Sequence, residues 1–132
     1  MMFTNREIPI YVSTSAIGSK SLSKTVRKFN QYGIRNIELS YGVFEKGFQK
    51  TFKKLSKKNN FLFHNYYPKP KKEFVINLAS FNRNIRLQSI KFIKNNIDFC
   101  SKNKIKFYSF HAGFLIDPKP KHLGKKIPKI DI

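Results

Sequence analysis

Four apolar segments of strand length recur along the chain, and each gap between them holds a stretch with helical spacing. Ile8 to Thr14 (IPIYVST), rich in β-branched and aromatic residues, reads as a buried strand, and Arg35 to Ser40 (RNIELS), Phe61 to Tyr66 (FLFHNY) and Ile105 to His111 (IKFYSFH) read as three more. Between the first two, Ser21 stands where a helix N-cap belongs. Leu22, Val26 and Phe29 then recur on one helical face, and Gly33 suits a left-handed C-terminal position. A second helix is expected from the stripe Phe44, Phe48, Phe52 and Leu55, broken at Asn59-Asn60. A third is expected over about Asn82 to Lys102, with Ile90, Ile93, Ile97 and Cys100 inward. The order is β-α-β-α-β-α-β. That alternation predicts an α/β fold with a parallel sheet, right-handed crossovers and covering helices. Periodicity alone leaves open whether the sheet stays flat or curls.

The segment Tyr67 to Ser80 interrupts the pattern. Pro68, Pro70 and its lysines mark a surface loop, yet its second half, Phe74 to Ala79 (FVINLA), is apolar and should fold back. After Asp117 the pattern dissolves, so residues 1–117 are read as the folded region and 118–132 as a basic irregular tail.

Charge restricts the partners. The chain carries 27 Lys and Arg against 7 Asp and Glu, a formal net charge of +20. Such an excess draws phosphate backbones by long-range field. An AT-rich coding sequence would supply the same Lys, Asn, Ile and Phe without any such role. The cations are spread along the chain, and no zinc-finger spacing or compact basic helix accompanies them. Weak, non-specific nucleic-acid binding is therefore the expectation. No run approaches the ~20 apolar residues of a membrane helix. Met1 to Arg6 lacks the apolar core of a signal segment, and Cys100 is the single cysteine. The expectation is a cytoplasmic protein without a membrane partner.

In a curled parallel sheet, chemistry gathers at the C-terminal ends of the strands. Those ends read Ser13-Thr14-Ser15, Glu38-Leu39-Ser40, His64-Asn65-Tyr66 and His111-Ala112-Gly113. Glu38, His64 and His111 are thus candidate catalytic residues on one rim. Neighbouring strands lie about 4.8 Å apart, so His64 and His111 could share one zinc ion. Glu38, one strand further away, could supply a carboxylate. Two hydrogen-bonded histidines without metal would look the same in sequence. His122 lies in the tail and has no assigned role.

These segments resemble the xylose isomerase-like TIM barrel superfamily, which holds endonuclease IV and many sugar isomerases and epimerases. The likeness rests on NIELS (Asn36–Ser40), FLFHNYYP (Phe61–Pro68), FVINLAS (Phe74–Ser80) and YSFHAGF (Tyr108–Phe114), in order. His64 and Tyr67 match the H-x-x-Y of the family's third strand, and Ile76-Asn77-Leu78-Ala79 its INLA segment. Phe110-His111-Ala112-Gly113 matches F-H-P-G, with Ala112 in place of proline. Arg86 and Ser89 resemble the R-x-x-S that opens the third helix of bacterial sugar-phosphate isomerase/epimerase-like proteins.

The resemblance implies the first half, about four strands, of a TIM barrel. It implies His64 and His111 as ligands of a divalent metal, zinc or manganese, in a site left incomplete by this chain. It also implies Tyr67, Asn77 and Arg86 as substrate contacts. A complete eight-fold barrel takes roughly 250 residues, so the 132-residue chain is expected to be a fragment that self-associates or binds a complementary half-barrel chain.

Three functions follow as expectations. One is a sugar or sugar-phosphate isomerase/epimerase relative, incomplete as an enzyme alone. One is a fragment of a zinc-dependent AP endonuclease of the endonuclease IV type, acting in DNA repair. One is a non-catalytic subunit completed by a partner chain. Phe114 and Leu115 stand where the endonucleases carry serine and histidine, which tilts the reading toward the isomerases.

Overall fold

The structure is a computed structural model and describes residues 9–18, 20–123 and 125. Ile8 and most of the expected tail (124 and 126–132) lie outside the described residues. The chain divides into two compact units, with the boundary between Lys69 and Pro70.

The first unit holds β1 (Val12–Ser13), α1 (Leu22–Gln31), β2 (Asn36–Leu39), α2 (Phe48–Leu55) and β3 (Asn60–His64). β1 pairs parallel with β2, and β2 parallel with β3, as the βα alternation predicts. The register sets Ser13 beside Glu38 and Glu38 beside Leu62. Side chains alternate across a strand, and the burial follows that rule. Ile37, Leu39, Phe61 and Phe63 are buried. Phe52 of α2 packs on Phe61 and Phe63, with ring centroids 5.2 and 5.7 Å away. Those four residues therefore face the helices, and Ser13, Glu38, Leu62 and His64 share the opposite face. The apolar Ile37 and Leu62 thus lie on opposite faces of the sheet.

α1 forms where its apolar stripe demands, with Leu22, Val26 and Phe29 buried. Its end has the expected geometry: Gly33 sits at φ 73°. Gly33 N–H donates to Asn30 O and Ile34 N–H to Phe29 O, the paired bonds of a Schellman motif. Its start differs. Ser21 occupies the N-cap but makes no side-chain cap bond; the Glu45 carboxylate accepts from Leu22 N–H instead. A carboxylate there also complements the positive end of the helix dipole. α2 begins only after Gly47, a left-handed residue at φ 81°, so Phe44 precedes the helix and is exposed rather than part of its buried stripe.

The second unit contains α3 (Arg83–Lys102) and β4 (Tyr108–Ser109). The Asn82 side chain caps α3 by accepting from the N–H groups of Asn84 and Ile85. The buried stripe runs Ser89, Ile93, Asn96 and Cys100. Asn96 turns inward to donate to the Tyr108 hydroxyl at 3.1 Å, and Ile97, expected inside, is half-exposed. β4 is much shorter than the apolar run that foretold it, and His111 lies beyond its end. In the irregular segment before α3, Val75, Ile76 and Asn77 are buried, as its apolar half requires.

Candidate functional site

The strand ends of the first unit are held by hydroxyls. Thr14 leaves β1 in a tight turn, and its Oγ1 accepts from the N–H groups of Ser40 and Tyr41 at 3.0 and 2.9 Å. Ser13 Oγ lies 2.6 Å from Ser40 Oγ. These bonds tie the end of β1 to the end of β2 and set two hydroxyls on the face that carries Glu38. Glu38 is half-buried, flanked in register by Ser13 and Leu62. His64 closes β3 two residues past Leu62, hence on the same face. Its Nε2 is 2.8 Å from Asn65 Nδ2, an amide donor. The first unit thus brings Ser13, Glu38, Ser40 and His64 to one face at neighbouring strand ends. That is a small polar surface suited to hydroxyl-bearing ligands, with one carboxylate and one imidazole able to move protons.

Tyr67 belongs to the core of the same unit. It is buried, with its ring centroid 5.5 Å from Phe48 and 5.6 Å from Phe63. Burial, and then the Glu45 carboxylate, push its phenol well above the usual range. It therefore stays protonated. Gly42 leaves it room: a Cβ there would stand 3.1 Å from Tyr67 Cε2.

The second unit is organised around Asn77. Its Oδ1 accepts from Ala79 N–H at 3.2 Å and Phe114 N–H at 3.1 Å. Its Nδ2 donates to Ile116 O at 3.0 Å and to Asp117 Oδ1 at 2.8 Å. Its backbone N–H donates to Ser89 Oγ at 2.9 Å. A side-chain amide has two donors and two acceptor positions, and all four are occupied within the protein. Asp117 Oδ2 accepts from Ser80 Oγ at 2.7 Å, and Arg86 donates to Ser80 O. Leu78 N–H donates to Ala112 O at 2.8 Å. Gly113 lies so close that a Cβ there would collide with Asn77 Oδ1 and stand 3.3 Å from the N–H nitrogens of Leu78 and Ala79. Asn77 and Arg86 therefore shape the loops that follow β4 and precede α3. His111, two residues before Gly113, is exposed on the first of these loops.

Sequence reasoning named Asn77, Arg86 and Ser89 from the resemblance but missed Ser80 and Asp117 as their partners. Ser80 looked like loop punctuation and Asp117 like the end of the fold. The cap role of Glu45 was missed as well, because it acts across 23 positions of sequence.

His64 Nε2 is engaged by Asn65. Among the described residues no three His, Cys, Asp or Glu side chains gather as a metal-binding group. Two imidazoles would fill half of a zinc shell.

Compared with protein-family models, curated proteins and solved structures, the chain matches none. No helix among the described residues is long and apolar enough to cross a membrane.

Proposed function

We propose that this chain is a xylose isomerase-like barrel protein whose strand-end rim takes a small sugar or sugar phosphate, in the isomerase/epimerase branch of that superfamily. The observation that carries the reading is the Asn77 node. The INLA segment, the F-H-x-G segment and the R-x-x-S helix start are separate in sequence. In the structure, Asn77, Gly113, Arg86 and Ser89 from those three segments meet in one hydrogen-bonded knot. Their meeting supports reading the three segments as one block. The substitution of Phe114 and Leu115 for the serine and histidine of the endonuclease pattern supports the isomerase branch over the nuclease.

In this proposal the chemistry is proton transfer beside a sugar carbonyl. Glu38 is the carboxylate that takes the proton, and the Ser13 and Ser40 hydroxyls orient the sugar. His64 is the imidazole that hydrogen-bonds a substrate oxygen. Proton transfer of this type uses a paired acid and base; a complementary half-barrel chain or a second copy would supply the second carboxylate. No step is routed through a metal.

Isothermal titration at ~150 mM salt tests the ligand class. The probes are an aldopentose, a ketopentose, their phosphates and a duplex with one abasic site. Saturable binding of a sugar or sugar phosphate, weakened at least tenfold by His64→Ala, is the expected result. Tight binding of the abasic duplex in preference to an intact one, with none of the sugars bound, would overturn the proposal in favour of the nuclease.

A further inference from the structure

The helical layer of the first unit holds a cavity. It lies between α1 and α2, has a volume of about 570 Å³, and is lined by both helices. Ser23, Val26, Arg27 and Asn30 line it from α1; Lys50, Thr51, Lys54 and Leu55 line it from α2. The spacing explains the convergence. Positions three, four and seven apart share a helix face, so each helix turns one continuous ridge toward the other. Val26 and Leu55 supply an apolar floor. Arg27 on one wall faces Lys50 and Lys54 on the other, and no carboxylate lines the cavity.

Three features set this groove apart from a merely basic surface. Among the described residues, the side chains of Arg27, Lys50 and Lys54 make no hydrogen bond or ion pair. Lys50 and Lys54 are four residues apart on one helix, where like charges repel and destabilise it. Asn30 Oδ1 is buried without a hydrogen-bond partner, a state that folded proteins rarely leave uncompensated. An anion between the walls would relieve the repulsion. The Ser23 and Thr51 hydroxyls would donate to it, and hydroxyls on the ligand could satisfy Asn30 after a rotation of its amide. The volume falls within the ~300–1,000 Å³ of small-molecule sites. The cations enclose one cavity instead of tracking a line of phosphates, as a nucleic-acid backbone would require.

We infer that the groove between α1 and α2 binds a phosphate-bearing small molecule through Arg27, Lys50 and Lys54. This site is separate from the strand-end rim, and it stands or falls independently of the rim's chemistry. Calorimetric titration of the full chain with inorganic pyrophosphate, at ~150 mM sodium chloride to screen the general field, tests it. Lys50→Gln/Lys54→Gln should weaken binding at least tenfold, and Arg27→Gln at least threefold. Lys91→Gln/Lys94→Gln removes the same charge from exposed positions on α3 and should change affinity less than twofold. All of these cations are exposed, so circular dichroism should show each variant folded. Equal losses in the groove and control variants would mean that net charge alone binds the anion, and would overturn the site. So would the absence of saturable binding, or an unchanged affinity in Arg27→Gln. If the groove variants weaken binding of a single-stranded oligonucleotide but not of pyrophosphate, the groove is a nucleic-acid contact and the small-molecule proposal fails.

Discussion

Replacing Asn77 with alanine should unfasten the second unit. The substitution removes four side-chain hydrogen bonds: those to Ala79 N–H, Phe114 N–H, Ile116 O and Asp117. Asp117 keeps its bond from Ser80, so its loss is partial. The two N–H groups lose their acceptor at a site where Asn77 is 1 % exposed. A buried donor left unpaired costs about 1–3 kcal/mol, and an ordinary hydrogen bond contributes about 0.5–1.5 kcal/mol net. Some water will enter the vacated space, so the lower half of these ranges applies, and the sum is about 3–5 kcal/mol. That is a large share of the ~5–15 kcal/mol of a typical domain. Urea denaturation followed by circular dichroism measures it, with the slope m checked for constancy. Hydrogen exchange at the Ala79 and Phe114 amides reports the loss locally. A double-mutant cycle sharpens the test. Gly113→Ala places its methyl against Asn77 Oδ1, so it should cost at least ~1 kcal/mol less in the Asn77→Ala background than alone. A loss below ~1 kcal/mol in Asn77→Ala, or strict additivity with Gly113→Ala, would refute the reasoning.

Three other outcomes are expected. Glu45→Gln should cost about 1 kcal/mol by weakening the cap on α1. It should also lower the Tyr67 phenol pKa in a spectrophotometric titration, while burial, the larger cause, still holds it above the usual range. Burial pushes the Cys100 thiol up to about 11. Its folded pKa is therefore raised above the roughly 8.5 of a free thiol. The stability from keeping it neutral is fully present below that value and is lost as pH rises through about 11; the wild type should show this extra decline in alkaline urea melts and Cys100→Ala should not. Binding to duplex DNA, measured by fluorescence anisotropy, should fall steeply with salt and be indifferent to an abasic site.

Much of the first unit was legible in the sequence, because its information is local. The Leu22, Val26 and Phe29 stripe and the Gly33 stop set α1, and short apolar segments, aromatic-rich in β3, set β2 and β3. Strand parity was not legible: Ile37 and Leu62 are both apolar, and only the packing of Phe52 on Phe61 and Phe63 decides which face meets the helices. Helix faces were legible only while apolar residues marked them. Asn96 displaced Ile97 through a bond to Tyr108, a partner no periodicity could supply. At the strand ends, sequence logic set Glu38 and His64 together, and the structure has them on one face of the first unit. The Ser13–Ser40 pair and the Ser80–Asp117 bond depend on contacts 27 and 37 positions apart and needed the coordinates.

The central claim is that the helix-free strand-end face of the first unit holds a sugar-type ligand. Amide and histidine-ring NMR shifts, recorded while an unphosphorylated pentose is added to the full chain, test this most directly. The account predicts saturable shifts centred on Ser13, Ser40 and His64, abolished by His64→Ala and unchanged by Lys50→Gln/Lys54→Gln. Shifts confined to other surfaces, or none at concentrations up to tens of millimolar, would contradict it.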